Sequence, residues 1–124
     1  MALTAMDLVA AAKRQIKEIE PAQAIPLLGK VLILDVREPS EYAAGCLPGA
    51  INIPRGVLEF KIDTHPAFQN RQDTEILVHC QSGGRSALAV ESLQKLGYTK
   101  LLSLAGGYKA WQEAGGPLVM PPAA

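Results

Sequence analysis

Several features that would point directly to a function are scarce in this sequence of 124 residues. Its 12 basic and 12 acidic residues cancel, which argues against a general nucleic-acid binder because such proteins carry a basic excess. It has only two cysteines, Cys46 and Cys80, which are too few for a disulfide scaffold. No apolar run approaches the roughly 18 residues of a membrane span. The N-terminal segment lacks the basic start of a secretory signal, and Asp7 interrupts its apolar run. We therefore expect a reduced, soluble, cytoplasmic domain that binds neither nucleic acid nor membrane.

The hydrophobic content is high enough to build a core. Apolar residues make up 48% of the chain, and its length suits one domain. The pattern divides the chain into an N-terminal amphipathic helix extension at 1–18, a globular domain at 19–117 and a loose, proline-rich tail at 118–124.

The N-terminal helix is predicted over residues 4–18, where apolar side chains recur at helical spacing. Thr4 and Asp7 resemble a capping box at its start. Pro21 then favours a second, short helix that continues to Leu28 and ends at Gly29.

Four segments have the pattern of strands, and those at 31–36 and 75–80 are typical of buried ones. They are short apolar runs bounded by charged, glycine or proline residues, at 31–36, 50–54, 75–80 and 101–104. Helical segments follow the third and fourth of these runs, whereas residues 55–74 are polar and mixed, with no clear period. Strands that alternate with helices predict an open, mostly parallel α/β sheet.

Cys80 stands at the carboxyl end of a predicted strand, before a glycine-containing loop and a helix. Active sites of open α/β sheets lie at this edge. The N–H groups at a helix N-terminus favour a thiolate over a thiol, and Arg85 adds a full positive charge. Gly83 and Gly84 allow the loop to curl, and Ser86 can cap the helix or donate to the pocket. A buried structural cysteine is the alternative, but it requires neither the glycines nor the arginine.

Four segments together resemble the landmarks of rhodanese-like domains. The first is the loop Cys80-Gln81-Ser82-Gly83-Gly84-Arg85-Ser86, and the others run from Leu34 to Tyr42, from Leu47 to Pro54 and from Leu104 to Trp111. The segments occur in the family's order, between about Ile19 and Pro117. Each one is moderately specific, and the combination is highly specific.

This resemblance implies a rhodanese-like open parallel sheet of five strands flanked by helices. It implies a thiosulfate sulfurtransferase in which Cys80 takes a sulfane sulfur from a donor such as thiosulfate and carries it as a persulfide. Cyanide or a thiol then accepts the sulfur. The donor is a small anionic sulfur compound or a persulfide-bearing protein, and no metal or organic cofactor is needed. The substrate-binding residues implied are Gln81, Ser82, Gly83, Gly84, Arg85 and Ser86.

Four further residues are candidates for supporting roles near the strand ends. Asp35 is expected to accept backbone N–H bonds, and Arg37 and Glu38 are expected to pair and hold loops. Arg55 follows a strand and either attracts anionic donors at the pocket mouth or is simply solvated. His79 precedes Cys80 on its strand, so its side chain should point away from the loop, as a structural residue.

The sequence departs from the family at Cys46, where rhodanese-like domains usually have histidine after the glycine. The structural hydrogen bonds of that histidine are therefore in doubt. Cys46 is either a small apolar replacement or a resolving thiol for oxidised Cys80. A metal site is not expected, because the spacing of the cysteines, His65 and His79 matches no zinc pattern.

Two other functions remain open. Cysteine phosphatases and arsenate reductases, some with this fold, have five residues between cysteine and arginine, whereas only four separate Cys80 from Arg85. One residue fewer should narrow the ring of N–H groups, so that it suits sulfur better than phosphate. The second alternative is a persulfide carrier or partner-binding module, for which thiosulfate turnover would be poor.

Overall fold

The protein is described here by a computed structural model that covers residues 2–122. Five parallel strands form one sheet in the order β1-β5-β4-β2-β3. The strands are β1 Glu18–Ile19, β2 Leu32–Asp35, β3 Ala50–Asn52, β4 Ile76–His79 and β5 Leu101–Leu104. The predicted α/β class and the five-stranded parallel sheet are both confirmed.

Helices cover both faces of this sheet. The α-helices are α1 Ala5–Lys13, α2 Pro21–Ala24, α3 Pro39–Ala43, α4 Leu58–Lys61, α5 Gly84–Lys95 and α6 Gly107–Glu113. Single 3₁₀ turns lie at Ile25–Leu27, Arg55–Val57 and Ile62–Thr64. The stretch at 55–74 therefore contains short helical turns, which are too brief to give the sequence a clear period.

The N-terminal helix is shorter than predicted. Its capping box is present, because Thr4 Oγ1 accepts from the Asp7 N–H and an Asp7 carboxylate oxygen accepts from the Thr4 N–H. The helix ends at Lys13 rather than at residue 18, since Glu18 and the next residue form strand β1 along the edge of β5. Here the pairing of Glu18 and Ile19 with the edge of the sheet determines the structure, although two or three apolar residues continue the helical spacing beyond Lys13.

The hydrophobic core is divided by the sheet into two clusters. Alternation along β4 places Ile76 and Val78 against α5 and places Leu77 on the opposite face, which α6 covers. Cys80 continues the α5 side, whereas Cys46 belongs to the α6 side. The two cysteines therefore lie on opposite faces of the sheet.

Helix α1 packs on α5 as an added layer. Val9 and Ala12 are buried there against Ala87. A Cβ added to Gly84 would lie 3.6 Å from Val9 Cγ2, so α1 reaches the start of α5. No helix of the described residues is long and apolar enough to cross a membrane.

The first residues of the tail are attached to the domain, unlike the loose tail expected at 118–124, and Leu118 packs on the α6 side of the core. Val119 forms an antiparallel bridge with Cys46, with N–O distances of 2.8 and 2.9 Å in the two directions. Trp111 Nε1 donates to the Pro117 carbonyl at 2.9 Å, so the preceding turn is also held. Met1, Ala123 and Ala124, which belong to the predicted terminal segments, lie outside the described residues.

Candidate active site

The Cys80 thiol lies directly after β4, under the loop that leads into α5. Its Sγ accepts a hydrogen bond from the Gly83 N–H at 3.0 Å, and the residue is only 1% exposed. Gly83 is the residue before α5 and has φ +105°, a conformation that glycine adopts without a steric penalty. The loop therefore turns an N–H group onto the sulfur, as predicted from the glycine and helix pattern.

Two buried serines lie behind the sulfur. Ser86 Oγ lies 3.6 Å from Cys80 Sγ and donates to the Gly83 carbonyl at 3.2 Å. Ser103, on β5, is fully buried, and its hydroxyl lies 3.0 Å from that of Ser86. The neighbouring hydroxyl fixes Ser86 beside both the sulfur and the turn of the loop.

The amino end of α6 fixes the other side of the loop. The Tyr108 N–H donates to the Cys80 carbonyl at 2.8 Å, and the Lys109 N–H donates to the Gln81 carbonyl at 3.1 Å. These bonds require close approach of the two backbones at Gly107. A Cβ added there would lie 2.5 Å from the Cys80 carbonyl oxygen.

Arg85, in the first turn of α5, is bound by a carboxylate from α3. Its two terminal nitrogens donate to the two oxygens of Glu41 at 2.8 and 3.0 Å. This bidentate pair raises the Arg85 pKa, as does the nearby Cys80 sulfur to a smaller extent. Arg85 therefore stands in the first turn of the helix that follows the Cys80 loop, and its charge is shared with Glu41.

A buried ion pair supports the site from the opposite face of the sheet. The Arg37 guanidinium donates to both Asp35 oxygens at 2.8–3.1 Å, and Asp35 Oδ1 also accepts the Arg37 N–H at 2.9 Å. Arg37 further binds the Gly45 carbonyl at 2.8 Å and stacks 4.2 Å above the Tyr108 ring. Since the Tyr108 N–H also binds the Cys80 carbonyl, this network connects the end of β2 to the loop that begins at Cys80.

His79 is fully buried beside that network. Its Nδ1 lies 3.3 Å from the Cys80 carbonyl, and Nε2, which has no hydrogen-bond partner among the described residues, lies 3.7 Å from Asp35 Oδ2. Burial lowers the pKa of His79, although Asp35 opposes the shift. The neutral ring is a structural neighbour of the loop, and it points away from the thiol as predicted.

Other predicted candidates have contacts with groups other than the Cys80 sulfur. Glu38 precedes α3, and its N–H donates to Glu41 at 2.9 Å. The Arg37 guanidinium binds Asp35 and not Glu38, which was expected to be its partner. Arg55 donates to both oxygens of Glu59 at 3.0 Å and to Ser92 Oγ at 3.1 Å, a geometry that commits its charge to α4 and α5. In the loop itself, Ser82 is exposed and Gln81 is half-buried, so both line its outer surface.

Cys46 lies away from this centre. It is buried with Leu47 and Trp111 on the α6 face, and burial raises the pKa of its thiol. A buried thiol on the far side of the sheet has the properties of a small apolar replacement. Residues 2–122 contain no group of three or more histidine, cysteine or acidic side chains arranged to hold a metal.

Four residues of the site were not assigned roles from the sequence: Glu41, Ser103, Gly106 and Gly107. Glu41 belonged to a recognised segment, but no local signal indicates its pairing with a residue 44 positions away. The alternation of side chains along β5 predicts which face of the sheet Ser103 lies on. It does not predict that Ser103 contacts Ser86. The Gly106-Gly107 pair was a detectable signal, because adjacent glycines at a helix start suggest close backbone packing.

Comparison with known proteins is consistent with this geometry. The family model described as Rhodanese-like domain matches residues 20–114. A sulfurtransferase of Allochromatium vinosum is 35% identical over 91 residues, which cover 73% of this chain and 80% of that protein. Human thiosulfate:glutathione sulfurtransferase is 37% identical over 94 residues, which cover 68% of this chain and 82% of that protein.

A solved structure from Rhodopseudomonas palustris is similar over nearly the whole length. It is described as a protein of unknown function and possible tyrosine phosphatase, and it matches with a TM-score of 0.87 and 33% identity over 96% of each chain.

The family model spans most of the present sequence, and both sequence relatives are sulfurtransferases by name. This chain therefore belongs to the rhodanese-like family of single-domain sulfurtransferases.

Proposed function

We propose that this protein is a thiosulfate sulfurtransferase that carries sulfur as a persulfide on Cys80. The observation that supports this most directly is the 3.0 Å hydrogen bond from the Gly83 N–H to Cys80 Sγ, at the amino end of α5. An N–H group at a helix N-terminus stabilises a negatively charged sulfur before and after transfer. No cofactor takes part in the proposed reaction.

In the first half-reaction, the Cys80 thiolate attacks the outer sulfur of thiosulfate. The S–S bond of thiosulfate breaks, and sulfite leaves with the bonding electron pair, so that Cys80 carries one additional sulfur as a persulfide. Arg85 faces the anionic end of the donor in this proposal, and the Gly83 N–H binds the reacting thiolate. Ser86 supplies a hydroxyl that can turn from the Gly83 carbonyl to the sulfur.

In the second half-reaction, cyanide or a thiolate attacks the outer persulfide sulfur. The S–S bond to Cys80 breaks, the electron pair returns to Cys80 Sγ, and thiocyanate or a new persulfide is released. The enzyme returns to its starting state, with no net oxidation or reduction of its own residues. A persulfide-bearing protein can replace thiosulfate in the first step by the same displacement.

Phosphate-ester hydrolysis is the second candidate, because the Rhodopseudomonas palustris structure is described as a possible tyrosine phosphatase. The loop argues for sulfur instead. Only four residues separate Cys80 from Arg85, and Cys80 is 1% exposed. A tetrahedral phosphate needs several oxygens bound at once above the nucleophile, whereas one sulfur atom needs little additional room.

The test compares three donors under the same conditions: thiosulfate, 3-mercaptopyruvate and the persulfide of a cysteine desulfurase. The proposal predicts Cys80-dependent turnover with thiosulfate. Turnover with the protein persulfide alone would assign a carrier role instead. Hydrolysis of an aryl phosphate that depends on Cys80, without transfer from any of the three donors, would replace the proposal with the phosphatase.

A further inference from the structure

An ion pair between Arg85 and Glu41 connects the end of the active-site loop to α3. Both terminal nitrogens of Arg85 are bound end-on, at 2.8 and 3.0 Å, by the two Glu41 oxygens. The Glu38 N–H, at 2.9 Å, holds Glu41 Oε1 in place at the start of α3. The carboxylate is therefore fixed by its own helix, and the arginine is fixed by the carboxylate.

This arrangement changes the charge that an approaching donor meets. Arg85 is the only cationic side chain between Cys80 and Ser86. Because Glu41 lies within hydrogen-bond distance of it, the two charges largely cancel for a ligand outside the pair. Both side chains remain about one-third exposed, at 37% and 31%, so the pair faces the solvent from which substrates arrive.

The carboxylate keeps its charge at every ordinary assay pH. The hydrogen bonds from Arg85 lower the pKa of Glu41 to about 2, against a smaller opposing effect of burial. Protonation therefore does not release Arg85 near neutral pH. The neutralised charge is a constant property of the site.

We propose that Glu41 is a specificity-determining residue that acts through Arg85 and reduces the preference of this site for doubly charged sulfur donors. The inference rests on the proposed sulfur transfer through Cys80. Coulomb's law makes the penalty twice as large for a dianion as for a monoanion at the same position. The pair thus narrows the advantage that a dianion such as thiosulfate would gain from Arg85 over a donor of lower charge.

The test uses two sulfane donors that differ in charge: thiosulfate, a dianion, and benzenethiosulfonate, a monoanion. The value of kcat/KM for each donor is measured with cyanide as acceptor, for the wild type, Glu41→Gln, Arg85→Ala and the double variant. Glutamine retains an oxygen for the Glu38 N–H, so α3 keeps its cap. Glu59→Gln is the matched control, because Glu59 is also bound through both oxygens by an arginine, at 3.0 Å.

The control pair is remote from the loop. Arg55 also binds Ser92, which lies two turns beyond Arg85 along α5, or roughly 10 Å at 1.5 Å per residue. Glu59→Gln makes the same change in net charge as Glu41→Gln, but away from the thiol. We expect it to leave the ratio of the two kcat/KM values within about twofold of wild type.

The expected order of the variants in their kcat/KM for thiosulfate follows the net charge that remains at positions 41 and 85. Glu41→Gln should raise kcat/KM for thiosulfate by roughly three- to tenfold and raise the ratio of thiosulfate to benzenethiosulfonate by about two- to threefold. Arg85→Ala should lower that ratio, and the double variant should return it close to wild type. Added salt should reduce the gain in Glu41→Gln, because exposed charges are screened.

Two results would contradict the inference, and they differ from failure of the proposed function. An equal loss with both donors in Glu41→Gln would make Glu41 a purely structural partner of Arg85. A rise in the ratio in Glu59→Gln as large as in Glu41→Gln would assign the effect to overall charge. Absence of transfer and of a Cys80 persulfide in the wild type would instead overturn the proposed function itself.

Discussion

The backbones of Gly107 and Cys80 lie closer together than a side chain on residue 107 would permit, because a Cβ on Gly107 would lie 2.5 Å from the Cys80 carbonyl oxygen. The contact allows the Tyr108 N–H to donate to that same oxygen at 2.8 Å. The start of α6 is therefore a support for the loop that carries Cys80. The requirement for glycine here comes from space as well as from its φ of +63°.

Gly107→Ala should consequently weaken both the fold and sulfur transfer. Alanine at positive φ costs about 1–2 kcal/mol, and the clash with backbone adds to this by moving the loop. Gly115→Ala is the control, because Gly115 has φ +77° but nothing within 4 Å of an added Cβ. We expect urea unfolding to show a larger loss for Gly107→Ala, and kcat to fall only in that variant. Equal stability losses with full activity in both would show that the contact is not needed.

The buried pair of Asp35 and Arg37 should contribute to stability as a unit. Their side chains are 0% and 3% exposed, so Asp35→Asn leaves a buried guanidinium without its counter-charge. Such a change typically costs about 3–5 kcal/mol in the free energy of unfolding, measured in urea. Glu18→Gln breaks the half-exposed pair with Lys13 and should cost less than about 1 kcal/mol. A similar small loss from Asp35→Asn would contradict the assigned role of the network.

His79 should make stability depend on pH in the acidic range. Burial lowers its pKa in the folded protein, so below the unfolded value of about 6.5 the unfolded chain binds a proton that the folded chain does not. The free energy of unfolding should therefore fall as pH decreases from about 6.5, by up to about 1.4 kcal/mol per pH unit. The measurement is urea unfolding between about pH 5 and 7 for wild type, His79→Gln and the control His65→Gln. The slope should flatten in His79→Gln alone, and an unchanged slope there would assign it to other groups.

The loop length should exclude phosphate chemistry. With four residues between Cys80 and Arg85, the wild type should show no hydrolysis of an aryl phosphate above background. Inserting one glycine after Gly83 should weaken sulfur transfer, because it displaces the N–H that now lies 3.0 Å from Sγ. The insertion is the variant in which phosphate or arsenate activity should be sought. Cys80-dependent phosphatase activity in the wild type would refute the loop-length argument.

The parts of this structure that the sequence predicts well depend on local patterns. The loop from Cys80 to Arg85 is one short segment whose strand, glycines and helix start are all visible in sequence. The capping box of Thr4 and Asp7 is local in the same way. The structure contains these features as predicted, because residues close together in the sequence determine them.

The parts that could not be predicted depend on partners distant in sequence. Strand β1 has only two residues and exists because the edge of β5 is available to Glu18 and Ile19. The bond between Arg85 and Glu41 joins the start of α5 to α3, and Arg55 is bound by Glu59 and Ser92. In each case tertiary contacts choose among options that a local pattern leaves open.

The most direct test of the account is the mass of the peptide that contains Cys80 after the protein is treated with thiosulfate. The account predicts a gain of one sulfur atom on that peptide, which cyanide removes. Cys80→Ser should abolish both the gain and turnover, whereas Cys46→Ser, on the opposite face of the sheet, should retain both. A wild type that gains no sulfur on Cys80, or equal loss of activity in the two variants, would contradict the central claim.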